Sequence, residues 1–419
     1  MHGFSNIKNI FSIFKMEGGL HFQVVVLIMI TSAFFESFGI ILISTLIGFL
    51  ADAQFELGKI RVINVIEYVY SGGYFSQQEF FTIIVLIFFT ISVCIKSLTV
   101  YIMTKYVATI GSVLSIQSLS KIMQQDYEWL IKKRSGEIAK DTISTVDIVV
   151  RKSITPLMQL LLNVFMVIAI FSILLISEGP IIITAMLSIF LIYLLIYYLF
   201  RVYLSSFGMK LSDSESKKFM ALNDITNGLR DIILTNSRGY WIDRFKGPAA
   251  NVAKYNAKGQ LVALLPRYIL ETLVFGGMLV ALLFLISDKG GLTSALPTLT
   301  LYVFSAYKLI PAVQQIYASI ASIKFSATFV DSLKKIFNRE NSINILKNNH
   351  TCDYKEFSSY INFQKINYNR DNRSFGLKDV SLLIEKGSNI ALTGESGSGK
   401  STFLDIVSGL VSPDSGDFL

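Results

Sequence analysis

The residues best equipped for chemistry lie near the C-terminal end, where the stretch from Gly394 to Thr402 reads GESGSGKST. Its spacing is GxxxxGK[ST]. Glycines at 394, 397 and 399 let the backbone wrap tightly, so that successive N–H groups converge on phosphate oxygens. A helix starting near Lys400 would aim its positive end at the same point. Lys400 then reaches the β- and γ-phosphates of a nucleotide, and the Ser401 hydroxyl ligates Mg2+. Glu395, Ser396, Ser398 and Thr402 fill the rest of the bend and its exit. By average residue frequencies, the bare pattern arises by chance in roughly one chain in a hundred of this length.

Such a loop works only between a strand and a helix. From Ile361 the sequence is strand-like: INFQKINY, a turn NRDNRS, then LKDVSLLI, a turn EKGS and the apolar run NIALT. After the loop, TFLDIVSGL has helical spacing. Residues 359–419 therefore read as the start of an α/β P-loop nucleotide-binding domain. Residues 326–358 are polar and amphipathic, then turn-rich: a helical extension of the sixth span, then a linker.

The preceding 325 residues are of another kind. The whole chain is 52% hydrophobic and only 16% charged, against about 25% charged in soluble proteins. Six apolar stretches can cross a bilayer, which takes ~20 residues each: about 22–50, 80–103, 154–177, 181–200, 261–286 and 296–320. The first is too long for a secretory signal, and no small-residue cleavage site closes it. The expected fold is thus a six-span α-helical membrane domain followed by the P-loop domain.

Lysines and arginines crowd the loops after the second and fourth spans, about 105–153 and 205–260, and leave Lys59, Arg61 and Lys289 on the other side. This bias puts both loops and both termini of a multi-pass membrane protein in the cytoplasm. It also accounts for most of the net charge of +8 without any nucleic-acid partner. Phe219, Leu222, Ile225, Leu229, Ile232 and Ile233 recur at helical spacing, so the loops read as paired helical arms. Cys94 and Cys352 set no disulfide framework, and the three histidines set no zinc site.

The stretch from Leu377 to Leu419 resembles the opening of the ABC (ATP-binding cassette) transporter nucleotide-binding domain, and the layout resembles a fused exporter-type half-transporter. FESFGIILISTLIGFL, SGEIAKDTISTVDIVV, NGLRDIIL, PRYILETLVFGGM and YKLIPAVQQIYASI look like bacterial flippases and exporters of lipid-linked oligosaccharides or polysaccharides. The resemblance implies ATP with Mg2+ as cofactors and a second half-transporter as partner, giving a homodimer among membrane lipids. It implies a flipped or exported lipid-linked glycan as cargo. The alternatives are a hydrophobic drug, lipid or peptide, or a non-catalytic nucleotide-binding subunit. The adenine-stacking aromatic of the family falls at Arg370; Tyr368 is the nearest ring. The family's signature, carboxylates and switch histidine fall after Leu419, so the resemblance implies ATP hydrolysis by the full-length protein and only the phosphate grip here.

Glu36, Lys96, Arg267, Glu271 and Lys308 fall in or beside apolar stretches. Arg267 and Glu271, four apart, can pair on one helix face, and Lys96 can snorkel to the inner headgroups. The competing reading is a cationic lining for a lipid pyrophosphate. Ile60, Ile63, Ile66 and Tyr70 suggest a short interfacial helix on the outer face.

Overall fold

The computed structural model describes residues 19–50, 56–57, 60–61, 77–133, 135–178, 181–288, 292–338, 359–369 and 376–418. The chain forms two compact units. One holds the membrane helices. The other holds residues 117–138 and 336–419.

In the first unit, α1 (Gly19–Leu50) is followed by a minimal antiparallel pair, β1 (Glu56–Leu57) and β2 (Ile60–Arg61). This corrects the start of the expected outer helix: Ile60 pairs with Leu57 in a ladder. Ile63, Ile66 and Tyr70 lie outside the described residues. α2 (Gln77–Met123) is continuous for 47 residues. α3 (Tyr127–Lys132) and all but the last residue of α4 (Ser135–Ala139) belong to the second unit. The first resumes with two π-helical turns, Lys140–Ser144 and Val150–Ile154, flanking α5 (Thr145–Val149). Then follow α6 (Thr155–Glu178), α7 (Ile181–Asn227), α8 (Leu229–Leu234), α9 (Arg238–Asp288), α10 (Leu292–Phe325) and α11 (Ala327–Phe337).

At ~1.5 Å per residue, the 47-residue α2 and α7 and the 51-residue α9 are each about 70 Å or longer. The hydrocarbon core is only ~30 Å thick. Less than half of each helix can lie in lipid; the rest must project, as the helical arms require. Three of the expected spans, the first, second and third, lie in helices long and apolar enough to cross a membrane among the described residues. The helices α7, α9 and α10 run through the other three.

The bundle packs α1, α6 and α10 around one core. Ala33 and Ile40 of α1 meet Met166, Ile170 and Leu174 of α6 and Leu301 and Ala312 of α10. The opposite stripe of α1 is apolar yet outward, with Leu27 61% exposed, which is how a lipid-facing surface looks. Two of the hydroxyls in α1 are satisfied within the helix. Ser37 Oγ donates to the Ala33 carbonyl and Thr45 Oγ1 to that of Ile41, each at 2.9 Å, so neither hydroxyl is stranded in an apolar setting. Gly39 leaves room for the rings of Phe88 and Phe89 on α2.

In the second unit, β3 (Tyr360–Asn369) is the central strand of an antiparallel sheet ordered β4-β3-β5, with β4 (Gly376–Glu385) and β5 (Ser415–Phe418) on its flanks. α12 (Lys400–Val407) packs on it through Phe403 and Ile406. β3, β4 and α12 match the expected elements. The edge strand β5 was missed, because four residues with a glycine give almost no period-2 signal. The run NIALT is corrected: residues 389–393 form no strand, and Ile390 and Leu392 are exposed. An apolar run acquires strand hydrogen bonds only from neighbours on its edges, and none flank it among the described residues.

Candidate phosphate loop and intramembrane cavity

The phosphate loop is built from its glycines. Gly397 and Gly399 have φ of +88° and +93°, a region where other residues are strained. Gly399 is also the N-cap of α12 and supplies no side-chain cap. A Cβ there would come within 2.9 Å of Leu377 Cδ2 on β4, so the helix start sits as close to the sheet as a residue without a side chain allows. The first amides of α12 have no intrahelical partner. Phe403 N–H donates to the Gly399 carbonyl at 2.9 Å, which leaves those of Lys400, Ser401 and Thr402 facing out of the helix end.

Lys400 bends back into the loop. Its Nζ donates to the carbonyls of Gly394 at 2.7 Å and Glu395 at 2.6 Å and lies 3.4 Å from Ser398 Oγ. A positive charge is thereby tethered at the positive end of a helix, with the loop from Gly394 to Ser398 exposed. Like charges gathered this way are stable only in water or opposite an anion. The donor set fits a polyphosphate. Ser401 is exposed beside it. Among the described residues no cluster of three or more His, Cys, Asp or Glu could hold a metal. A P-loop hydroxyl such as that of Ser401 would be one ligand of a Mg2+ ion that also takes phosphate oxygens, water and a carboxylate.

Tyr368 is a correction. Its ring is 6% exposed, packed with Phe363, Ile366, Phe403, Ile406 and Val411 in the core of the sheet. Strand alternation puts 363, 366 and 368 inward across irregular register, so Tyr368 has no open face for a base. Arg370 lies outside the described residues. Tyr127 of α3, which belongs to the same unit, packs against this core. Nothing in its local sequence singled it out.

The membrane unit contains a cavity of about 710 Å³. Lys96, Glu271 and Lys308 reach its wall together with Asn163, Gln314 and Gln315. Behind the wall, Glu36 Oε1 meets Lys96 Nζ at 2.6 Å, and Glu36 Oε2 lies 3.7 Å from Lys308 Nζ. Lys96 therefore pairs with an acid rather than extending to headgroups. The sequence signal was there, one acid and two bases in the first, second and sixth spans, but the register that brings them together was not. The Arg267 side chain is outside the described residues, and so is the expected pair with Glu271.

A membrane bundle with projecting helices, continuous in one chain with a phosphate-gripping loop, defines a P-loop protein of the transporter kind. The family model for the ABC transporter transmembrane region matches residues 25–307, and that for the ABC transporter matches residues 377–419. The chain belongs to the ABC transporter family, with the layout of a fused exporter-type half-transporter. The fold is similar to that of a bacterial Atm1-family ABC exporter with ATP bound: TM-score 0.69 at 14% identity, covering 95% of this chain and 67% of that one. The chain is 21% identical over 207 residues to the glutathione/L-cysteine transport system ATP-binding/permease protein CydD of Bacillus subtilis, 49% of this chain and 36% of that protein. It is 64% identical over 40 residues to the lipoprotein-releasing system ATP-binding protein LolD of Treponema denticola, 10% of this chain and 18% of that protein. These matches span well under two thirds of either curated relative.

Proposed function

We propose that the chain is the membrane domain and phosphate grip of an ATP-driven exporter or flippase of the bacterial inner membrane, with both termini cytoplasmic, working as a homodimer of half-transporters on a lipid-linked glycan. The observation that carries the ATP-driven part is Lys400, tied to two loop carbonyls at the start of α12. In this reading the amides of the bend from Gly394 to Thr402 surround the phosphates, Lys400 neutralises their charge and Ser401 holds Mg2+. The long helices supply the lever: a change at their cytoplasmic ends moves their membrane ends as a rigid rod. The cavity supports the cargo class. Amides of Asn163, Gln314 and Gln315 both donate and accept, which suits hydroxyl-rich groups, and lysines suit a pyrophosphate link.

The test is flipping of a fluorescent polyprenyl-diphosphate oligosaccharide by the full-length protein in proteoliposomes. ATP should drive it and Lys400→Ala should abolish it. Flipping that ignores ATP, or survives the substitution, overturns the proposal.

A further inference from the structure

Two lysines reach the cavity, and only one is fully engaged. Glu36 is buried, its side chain 6% exposed, on the face of α1 that carries Ala33 and Ile40 into the core. Its two oxygens are used unequally. The 2.6 Å contact to Lys96 is a short charge-assisted hydrogen bond, while the 3.7 Å separation from Lys308 is outside hydrogen-bond range. Lys308 makes no hydrogen bond among the described residues, and its side chain is 26% exposed on the cavity wall. Glu271, the other acid on that wall, has an interaction partner of its own. One carboxylate cannot neutralise two ammonium groups, so Glu36 leaves about one positive charge for something else. An uncompensated charge in a membrane domain is expensive, and such charges serve ligands.

We propose that Lys308 is the specificity-determining residue of the cavity and that it recognises a phosphate-bearing head of an amphiphile. The Glu36–Lys96 pair is the fixed tie between α1 and α2. A ligand that displaced Lys96 would strand a buried carboxylate, whereas one that draws Lys308 away leaves Glu36 still paired. The choice of phosphate over carboxylate follows from charge. A carboxylate offers Lys308 no more than Glu36 already does, but a phosphate monoester carries about −1.5 to −2 at neutral pH and outcompetes it. Apolar wall residues, Val303, Ile310 and Pro311, suit a hydrocarbon tail beside the head. The inference rests on the transporter reading and sharpens its cargo.

The probe is a fluorescent prenyl phosphate, measured on the full-length protein in nanodiscs against the same prenyl chain ending in an alcohol and against inorganic phosphate. The wild type should prefer the phosphate lipid to the alcohol by roughly 10- to 100-fold, the worth of one hydrogen bond to a charged group. Lys308→Met should erase the preference and Lys308→Arg should keep it. The thermal midpoint should fall at least twice as far for Lys96→Met as for Lys308→Met, which shows that the lost preference is not lost folding. A preference that survives Lys308→Met overturns the assignment. Inorganic phosphate competing as strongly as the lipid overturns the amphiphile. Binding preference without ATP-driven flipping removes the transport reading and leaves the site. Flipping with no change in preference does the reverse.

Discussion

Removing the buried carboxylate of Glu36 tests the unequal sharing of its two oxygens. Glu36→Gln keeps the shape and deletes the charge. Breaking a fully buried ion pair costs about 3–5 kcal/mol, and an exposed one about 0–1. Here the acid is 6% exposed and Lys96 50% exposed, so the tie falls between those limits, at about 2 kcal/mol. Lys308 gains less. Coulomb attraction falls only with the ratio of the two distances, but the directional hydrogen bond is absent at 3.7 Å, which leaves about 1 kcal/mol or less. Double-mutant cycles separate the terms: Glu36→Gln with Lys96→Met, and Glu36→Gln with Lys308→Met, each followed by equilibrium unfolding in mixed micelles. The coupling energy should be about twice as large for Lys96. Equal couplings, or a larger one for Lys308, would refute the idea that Lys96 owns this carboxylate and Lys308 is the available cation.

Lys400→Ala should weaken binding of a fluorescent ATP analogue by roughly 10- to 100-fold, the loss of one charged hydrogen-bonding group, with circular dichroism unchanged. Gly399→Ala should be worse for the fold of the C-terminal unit than Gly397→Ala. Both incur about 1–2 kcal/mol for a left-handed backbone, but only at 399 does a Cβ meet Leu377, while nothing lies near 397. Protease resistance of residues 359–419 reads the difference. Tyr368→Leu should lower that resistance and leave nucleotide affinity within about twofold, because the ring is core; a large fall in affinity in a folded variant would return Tyr368 to the adenine site. Ser326→Val should destabilise the membrane unit by about 1–3 kcal/mol, because it removes the hydroxyl that pairs with buried Ser153 and one of the two donors to the Lys152 carbonyl.

What could be read in advance follows the strength of the periodic signal. The spans and arms were legible because twenty or more residues vote for each, and the helices run through them. The phosphate loop was legible because its glycines, lysine and serine are fixed by local backbone geometry. Tyr368 was not, because its direction depends on irregular register between β3 and β4, at Phe363/Ile366 and Ile366/Tyr368. Parity along a strand cannot be counted across a bulge. The Glu36–Lys96–Lys308 cluster was half legible: charge in an apolar stretch flags a residue, but its partner is chosen by helix rotation. An i,i+4 spacing such as that of Arg267 and Glu271 can be read along one helix, whereas a tie among three helices cannot.

One set of polar ties in the membrane unit sits where helices break. α10 ends at Phe325 and α11 begins at Ala327, and the residue between them, Ser326, is fully buried. Its hydroxyl lies 2.7 Å from Ser153 Oγ and 2.9 Å from the Lys152 carbonyl, which also accepts from Ser322 at 2.9 Å. Lys152 and Ser153 belong to the π-helical turn Val150–Ile154, and a π turn disturbs the regular ladder that would otherwise occupy those carbonyls. Lys152 Nζ in turn donates to Asn256 Oδ1 at 2.9 Å and lies over the Phe325 ring, which packs where Gly259 of α9 has no Cβ. A single junction thus joins the approach to α6, the α10–α11 break and α9. Apolar packing along the helices tolerates sliding, because one methyl replaces another. A set of directional bonds around one serine does not, so movement of α11 has to carry the other two with it or break several hydrogen bonds at once.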